Sequence, residues 1–261
     1  MIGLLIGLTA AASGASTSYG ESLLDAMHKR HPQLGGAQIT ATNGQGPVIA
    51  LNRLWRGRSR SSAKRALFDA NGNEIGMLTL HSRCERVSDA DRIESELSRR
   101  IYSPGSLGEP DPFVGAAVRA PAGQALIEAA LQRDPGIITL AFHVIPPGAK
   151  VNMIVASSFG RIGKPGDSDD QRVVREGKTL RELTNNGKRV AIELPLLDAR
   201  GRVIGALSTS FRLEPETDAD QAEKRAVVLR DSLARRTPSL KALFRPATAS
   251  RQVGGLRTCH S

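Results

Sequence analysis

Aromatic side chains are scarce: Phe, Trp and Tyr together make up 3% of the chain. Any core must therefore be built mainly from aliphatic residues, and the 40% apolar content supplies them. Cysteine is scarcer still. Cys84 and Cys259 are the only two, far apart in the chain. That excludes the paired spacing of a zinc site or a C-x-x-C redox pair. A disulfide between them is allowed in an oxidising compartment, and two free thiols are equally compatible. Beyond the N-terminus no apolar run is long enough to cross a membrane. Acidic residues are outnumbered 26 to 36, which leaves a formal charge of +10. A basic balance favours anionic partners, or is a solvated surface with no dedicated partner. At 261 residues the chain has room for two ordinary domains or one large one.

The first residues run "MIGLLIGLTAAASGAS". Ile2–Ala12 is a short apolar stretch, and Ser13 and Ala15 stand three and one residues before a candidate signal-peptidase cut. Residues 1–15 are expected to be a cleaved export signal, with a periplasmic or secreted product. No Lys or Arg precedes the stretch, as one normally does; a start upstream of Met1 would account for that. The alternative is a buried first helix.

The chain repeats itself. "LFDANGNEIGML" at Leu67–Leu78 returns as "LLDARGRVIGAL" at Leu196–Leu207, 129 residues later, with seven of twelve positions identical. The echo extends in the same order: "LLDAMHKRHP" becomes "LIEAALQRDP", "SDAD" becomes "TDAD", and "LSRR" becomes "LARR". A period above 100 residues indicates two domains rather than a solenoid of small units.

Each unit begins with a helix. Leu23, Leu24 and Met27 form an apolar stripe in the first, Ile127, Ala130 and Leu131 in the second, and Pro32 and Pro135 stop them. Strands follow: "GAQITAT" in the first unit, "IITLAFHVI" and "NMIVASS" in the second. In the echoed block Val190, Ile192, Leu194 and Leu196 alternate with other residues, the period of a half-buried strand. Asp69 with Gly72, and Asp198 with Gly201, mark tight turns. Each block is therefore a hairpin, with Gly76 and Gly205 at a bulge or a close backbone approach. Ala222, Ala226, Leu229 and Leu233 give the second closing helix one apolar face. Asp218 and Thr217 are its candidate N-caps.

This order, and "LPLLDARGRVIGALSTSF" above all, resembles the PAS-like and GAF-like sensor superfamilies, including extracytoplasmic Cache domains. The resemblance implies an α+β fold of two tandem PAS/GAF-like domains. Each would be an antiparallel sheet flanked by N- and C-terminal helices, with a small ligand between the sheet and a variable middle segment. The expected divisions are a signal at 1–15, a degenerate first repeat at 16–108, a linker at 109–123, a second repeat at 124–245 and a tail at 246–261.

The repeats differ in that middle segment. From the helix-ending proline to the hairpin leucine there are 35 residues in the first repeat and 61 in the second. The second repeat therefore has the material for a pocket wall. Its insert is "ASSFGRIGKPGDSDDQRVVREGK". Ser157 and Ser158 offer hydroxyls, Arg161 and Lys164 offer cations among glycines, and Asp167, Asp169 and Asp170 follow. An Arg can hold a carboxylate or phosphate through two parallel hydrogen bonds. Together these groups could hold both ends of a zwitterion such as an amino acid. The plainer reading is an exposed loop with Asp167 or Ser168 capping a helix through Arg175.

Sharper motifs fail on spacing. "GRIGKPGD" lacks the glycine separation and the Ser/Thr of a P-loop. "DSDD" lacks the alternate carboxylates, the central Gly and the closing Glu of an EF-hand. Ser61 and Lys64 match S-x-x-K without any partner motif. His143 lies in an apolar strand and is read as a core histidine, with haem the one cofactor worth testing there. No nucleophile, base and orienting group stand together, so an enzyme is not expected.

The expected function is an extracytoplasmic sensor-like module for a small anionic or zwitterionic ligand, without its own output domain. The first repeat would serve packing, homodimerisation or docking to a membrane-protein partner. The alternative is an interaction protein that uses "RLWRGRSRSSAKR", Arg53–Arg65, against anionic envelope polymers or a protein partner. Nucleic acid is not an expected partner of an exported chain.

Overall fold

The computed structural model describes residues 17–42, 47–51, 59–87, 89–113, 118–213 and 218–247. The expected signal, most of the basic stretch (Arg53, Trp55, Arg56 and Arg58), Thr217, Cys259 and nearly all of the tail lie outside them. Cys84 is disulfide-bonded.

Helix α1, Tyr19–Arg30, opens the described chain. Ser18 and Glu21 form a reciprocal capping box at its start. Strands β1 (Leu34–Thr42), β2 (Pro47–Leu51), β3 (Ser61–Phe68) and β4 (Glu74–Ser82) follow, then helix α2 (Ala90–Ser98). They form one antiparallel sheet in the order β2-β1-β4-β3. Leu24 and Met27 of α1 and Ile93 of α2 pack on Ile39, Leu78 and Leu80 of the sheet. Sheet positions two apart share a face, so one row of each strand is buried under the helices.

The second half begins with α3 (Pro121–Arg133), β5 (Ile137–Val144) and β6 (Met153–Ser157). Next come α4 (Ser168–Glu176) and β7 (Leu180–Thr184), then β8 (Arg189–Leu197), β9 (Val203–Arg212) and α5 (Ala219–Arg235). A short helix α6 (Leu240–Leu243) closes it. The sheet runs β6-β5-β9-β8-β7, again all antiparallel. Strand for strand, β1, β2, β3 and β4 correspond to β5, β6, β8 and β9, and the order is the same in both sheets. Helix α4 and strand β7 lie within the longer interval of the second half. The core under α3 and α5 is aliphatic apart from the fully buried Phe142 and Phe211.

The echoed words solve one geometric problem twice. Asp69 Oδ1 accepts from the N–H groups of Asn71 and Asn73 at 2.8 and 3.0 Å. Asp198 Oδ1 accepts from those of Arg200 and Arg202 at 2.9 and 3.1 Å. Gly72 and Gly201 have φ of 85° and 74°, a conformation that favours glycine. Each turn is tied to the chain beyond its closing helix, Ala70 N–H to Ile101 O and Ala199 N–H to Thr237 O. At Gly76 a Cβ would stand 2.0 Å from Thr40 O, and at Gly205 2.2 Å from His143 O. The neighbouring strand leaves no room for a side chain at either position.

Pro104–Gly108, just before the stretch read as a linker, forms a 3-10 turn. Within that stretch Pro110 makes an isolated bridge with Ser18. Phe113 N–H donates to Ile162 O. Further contacts join the two halves: Arg100 pairs with Glu128 at 2.5 Å, and the Tyr19 ring lies against Gly160.

Candidate functional site

The two faces of the second sheet differ in composition. Leu140, Phe142, Val190, Ile192, Leu194 and Phe211 face the helices and are buried. The intervening positions carry Thr139 and His143 on β5, Arg189 and Glu193 on β8, and Ser208 and Ser210 on β9. Cross-strand pairing aligns them: Thr139 opposite Ser210, and Glu193 opposite Ser208. A polar sheet face ordinarily meets water. Here α4 and the loop from Ser158 to Asp167 lie over it. Phe159 and Ile162 of that loop pack with Ala141, Ile154 and Tyr102 as an apolar wall. Between wall and sheet is a cavity of about 390 Å³. That size suits a small ligand, since such sites span roughly 300–1,000 Å³.

One end of the cavity is cationic. Arg189 is 8% exposed. Its Nη1 donates to Asn71 Oδ1 at 2.9 Å and its Nη2 to Thr139 Oγ1 at 3.2 Å, while Nε has no partner. Among the described residues no carboxylate pairs with it. The guanidinium lies 5.3 Å from the centre of the Tyr102 ring. A buried, always-charged group held by neutral partners is costly until an anion joins it.

The other end is anionic. Asp167, Asp170 and Glu193 each bring an oxygen to within 4.8 Å of the others. Asp170 is 1% exposed. Its Oδ2 accepts from Asp167 N–H at 3.1 Å and lies 2.7 Å from His143 Nδ1, whose ring is not aligned to donate along that line. Glu193 Oε1 accepts from Ser208 Oγ at 3.3 Å. Burial, then the charges of Asp170 and Asp167, push the Glu193 carboxyl up to about 7. His143 opposes that shift.

The residues expected from sequence divide three ways. Lys164, Asp167 and Asp170 line the cavity. Ser157 and Ser158 do not: Ser157 Oγ accepts from Phe159 N–H, and Ser158 Oγ from Leu140 N–H, so both hydroxyls serve the backbone. Arg161 reaches the lining, but its guanidinium is held by both oxygens of Glu109 at 2.9 Å. Its charge is already matched, and its own backbone has φ of 62°. Asp169 is exposed on α4. Asp167 is also the cap of α4, accepting from the N–H groups of Asp169 and Asp170. His143, expected in the core, faces the cavity instead, because the apolar run of β5 is buried on both sides. Of the basic stretch, Arg60 and Lys64 are exposed and Arg65 pairs with Asp91.

Arg189, Glu193 and Tyr102 were not singled out from sequence. The signal was present on β8, where Arg189, Ala191 and Glu193 alternate with the apolar stripe. Nothing local tells a covered polar face from a solvated one.

No family model and no curated protein matches the chain. Among solved structures the chain is similar to the GAF domain of A. aeolicus nlh2 in an inactive state. Identity is 13% over 46% of this chain and 80% of that one, with a TM-score of 0.32. It is similar to a GAF domain/HD domain protein from Geobacter sulfurreducens, at 16% identity over 44% of this chain and 92% of that one, TM-score 0.30. PelD from Pseudomonas aeruginosa PAO1 matches over 89% of this chain and 83% of its own, at 15% identity and TM-score 0.27. The mixed helix and antiparallel-sheet architecture thus has GAF domains among its neighbours. At TM-scores this low the likeness carries no conclusion about ligand or activity.

Proposed function

We propose that the protein is a sensor-like module of two tandem PAS/GAF-like units that binds a small ligand with an anionic group in the second. Arg189 carries this reading. It is a buried guanidinium beside a cavity, without a carboxylate partner among the described residues. A ligand carboxylate or phosphate would supply the missing charge through parallel hydrogen bonds. The Tyr102 ring, Phe159 and Ile154 would cover its apolar part. Binding rather than turnover is proposed.

We place the module outside the cytoplasm. The apolar N-terminal stretch and the disulfide-bonded Cys84 support that compartment. Among the described residues no helix is long and apolar enough to cross a membrane.

The test is a thermal-shift screen of amino acids, carboxylates, phosphates and haem against the protein and its Arg189→Gln variant. A ligand at 100 times its dissociation constant stabilises by ~2.7 kcal/mol. The expected result is an anionic or zwitterionic hit that the variant loses. A flat panel would shift the assignment to the basic stretch and an interaction role. An equal shift in the variant would remove Arg189 from the site.

A further inference from the structure

Three carboxylates meet at the end of the cavity away from Arg189, and the described residues place no Lys or Arg in an ion pair with any of them. Asp167, Asp170 and Glu193 come from two elements, the start of α4 and the middle of β8. Their oxygens approach one another within 4.8 Å. Clustered acids alone would say little. The second observation is how the two most enclosed carboxylates are held.

Asp170 and Glu193 each have one oxygen fixed by the protein and one left without a donor. Asp170 Oδ2 takes the Asp167 N–H, and Glu193 Oε1 takes the Ser208 hydroxyl. Asp170 Oδ1 and Glu193 Oε2 are buried and have no hydrogen-bond partner. Asp170 as a whole is 1% exposed, so bulk water does not serve that oxygen. A buried carboxylate oxygen without a donor is strongly disfavoured. Protein contacts that fix one oxygen of a carboxylate and aim the other are what orients a metal ligand.

We propose that Asp167, Asp170 and Glu193 form a binding site for a divalent cation of the hard, oxygen-preferring class: Mg²⁺, Mn²⁺ or Ca²⁺. The donor set is all carboxylate oxygen, which suits these ions rather than zinc. The charge also favours a divalent ion. Asp167 and Asp170 alone exceed what a single ligand ammonium offsets, and Glu193 adds to them where it ionises, whereas a divalent cation offsets both. The inference rests on the reading of this cavity as the binding site and gives it two charged ends. The cation sits on the acids, and the organic anion lies between it and Arg189.

The experiment is calorimetric titration of the EDTA-treated, desalted full chain with MgCl₂, MnCl₂ and CaCl₂, each without organic ligand. Electron paramagnetic resonance of free Mn²⁺ is the second readout. One cation per chain is expected for at least one of the three, with a dissociation constant no weaker than about 1 mM, as in extracellular cation modules. Asp170→Asn and Glu193→Gln should each weaken it by at least about tenfold. Asp169→Asn, on the exposed side of the same helix, should leave it unchanged. Circular dichroism and thermal melting check that the variants are folded. Should a variant unfold, the Asp169→Asn control and the wild-type stoichiometry still decide.

No saturable binding of any of the three ions overturns the inference. So does binding that both cavity variants retain. The thermal-shift panel is then repeated in EDTA. An amino-acid hit that persists there, with no cation bound, assigns the acids to a ligand ammonium. That result sinks the cation site and keeps the ligand cavity. Cation binding with a flat organic panel does the reverse.

Discussion

The two sheets share a strand order and a hairpin but not a second face. In the first, the positions equivalent to Arg189, Ala191 and Glu193 are Arg60, Ser62 and Lys64, and all three are exposed. In the second, Arg189 is buried, Glu193 is half-buried, and α4 and its preceding loop lie over them. The helix-packed faces are alike because both must exclude water. The other faces differ, and in the second sheet the longer connection lies over a polar surface and lines a cavity. A fold conserves what its core requires, and a site is made by what is laid over the rest.

The similarity can be broken hardest at the paired glycines. Gly76→Ala and Gly205→Ala each put a Cβ within 2.0–2.2 Å of a neighbouring carbonyl oxygen. Each should cost about 3 kcal/mol, the upper end for over-packing, in denaturant unfolding. A near-neutral result at one would show that its sheet adjusts where the other does not.

The difference is sharpened by the paired arginines. Arg189→Gln should weaken the cavity ligand by roughly thirtyfold, about 2 kcal/mol. Arg60→Gln should not change it. Equal losses would mean that the ligand does not use the cavity.

Glu193 gives a pH signature that the first sheet lacks, since Lys64 takes its place. Its folded-state carboxyl titrates near 7, above its ordinary 4.5. Its contribution is therefore fully present below the ordinary value and is lost as pH rises toward and through 7. In EDTA, melting temperatures at about pH 5 and about pH 8 should differ more for wild type than for Glu193→Gln. A parallel pair of profiles would show that burial does not hold that proton.

The smallest effect is expected at Arg161. Its bidentate pair with Glu109 ties the cavity wall to the first half. Arg161→Ala should cost about 1 kcal/mol of stability, the upper end for a solvent-accessible ion pair. It should keep most of the ligand-induced thermal shift. Complete loss of that shift would restore Arg161 as a direct anchor.

The site was only partly legible in advance. Lys164, Asp167 and Asp170 stand in a segment marked by its length and its charged residues among glycines, and the cavity includes them. Ser157, Ser158 and Arg161 carry the right chemistry but are engaged elsewhere, by backbone N–H groups and by Glu109. Two of those partners are far away in sequence: Ser158 answers to Leu140 and Arg161 to Glu109, whereas Ser157 answers to the nearby Phe159 N–H. His143 looked like a core residue because an apolar run does not say which of its two faces is oil.

What the sequence determined by itself is local and periodic. Its own letters specify the capped helices, the strands, and the turns of Asp69 and Asp198 with their positive-φ glycines. They mark Gly76 and Gly205 as irregular points of a strand, because backbone sterics and burial period act over a few residues, but the strands that crowd them, at Thr40 and His143, come from far away in sequence. What only the tertiary structure decided is which polar groups are matched and which are left unmatched. Arg161 and Arg189 are both arginines near Tyr102. One meets a carboxylate from the preceding segment, and the other meets only neutral oxygens beside a cavity. That outcome depends on long-range charge neutralisation and on burial of Arg189 against Asn71, Thr139 and Tyr102, neither of which has a period along the chain.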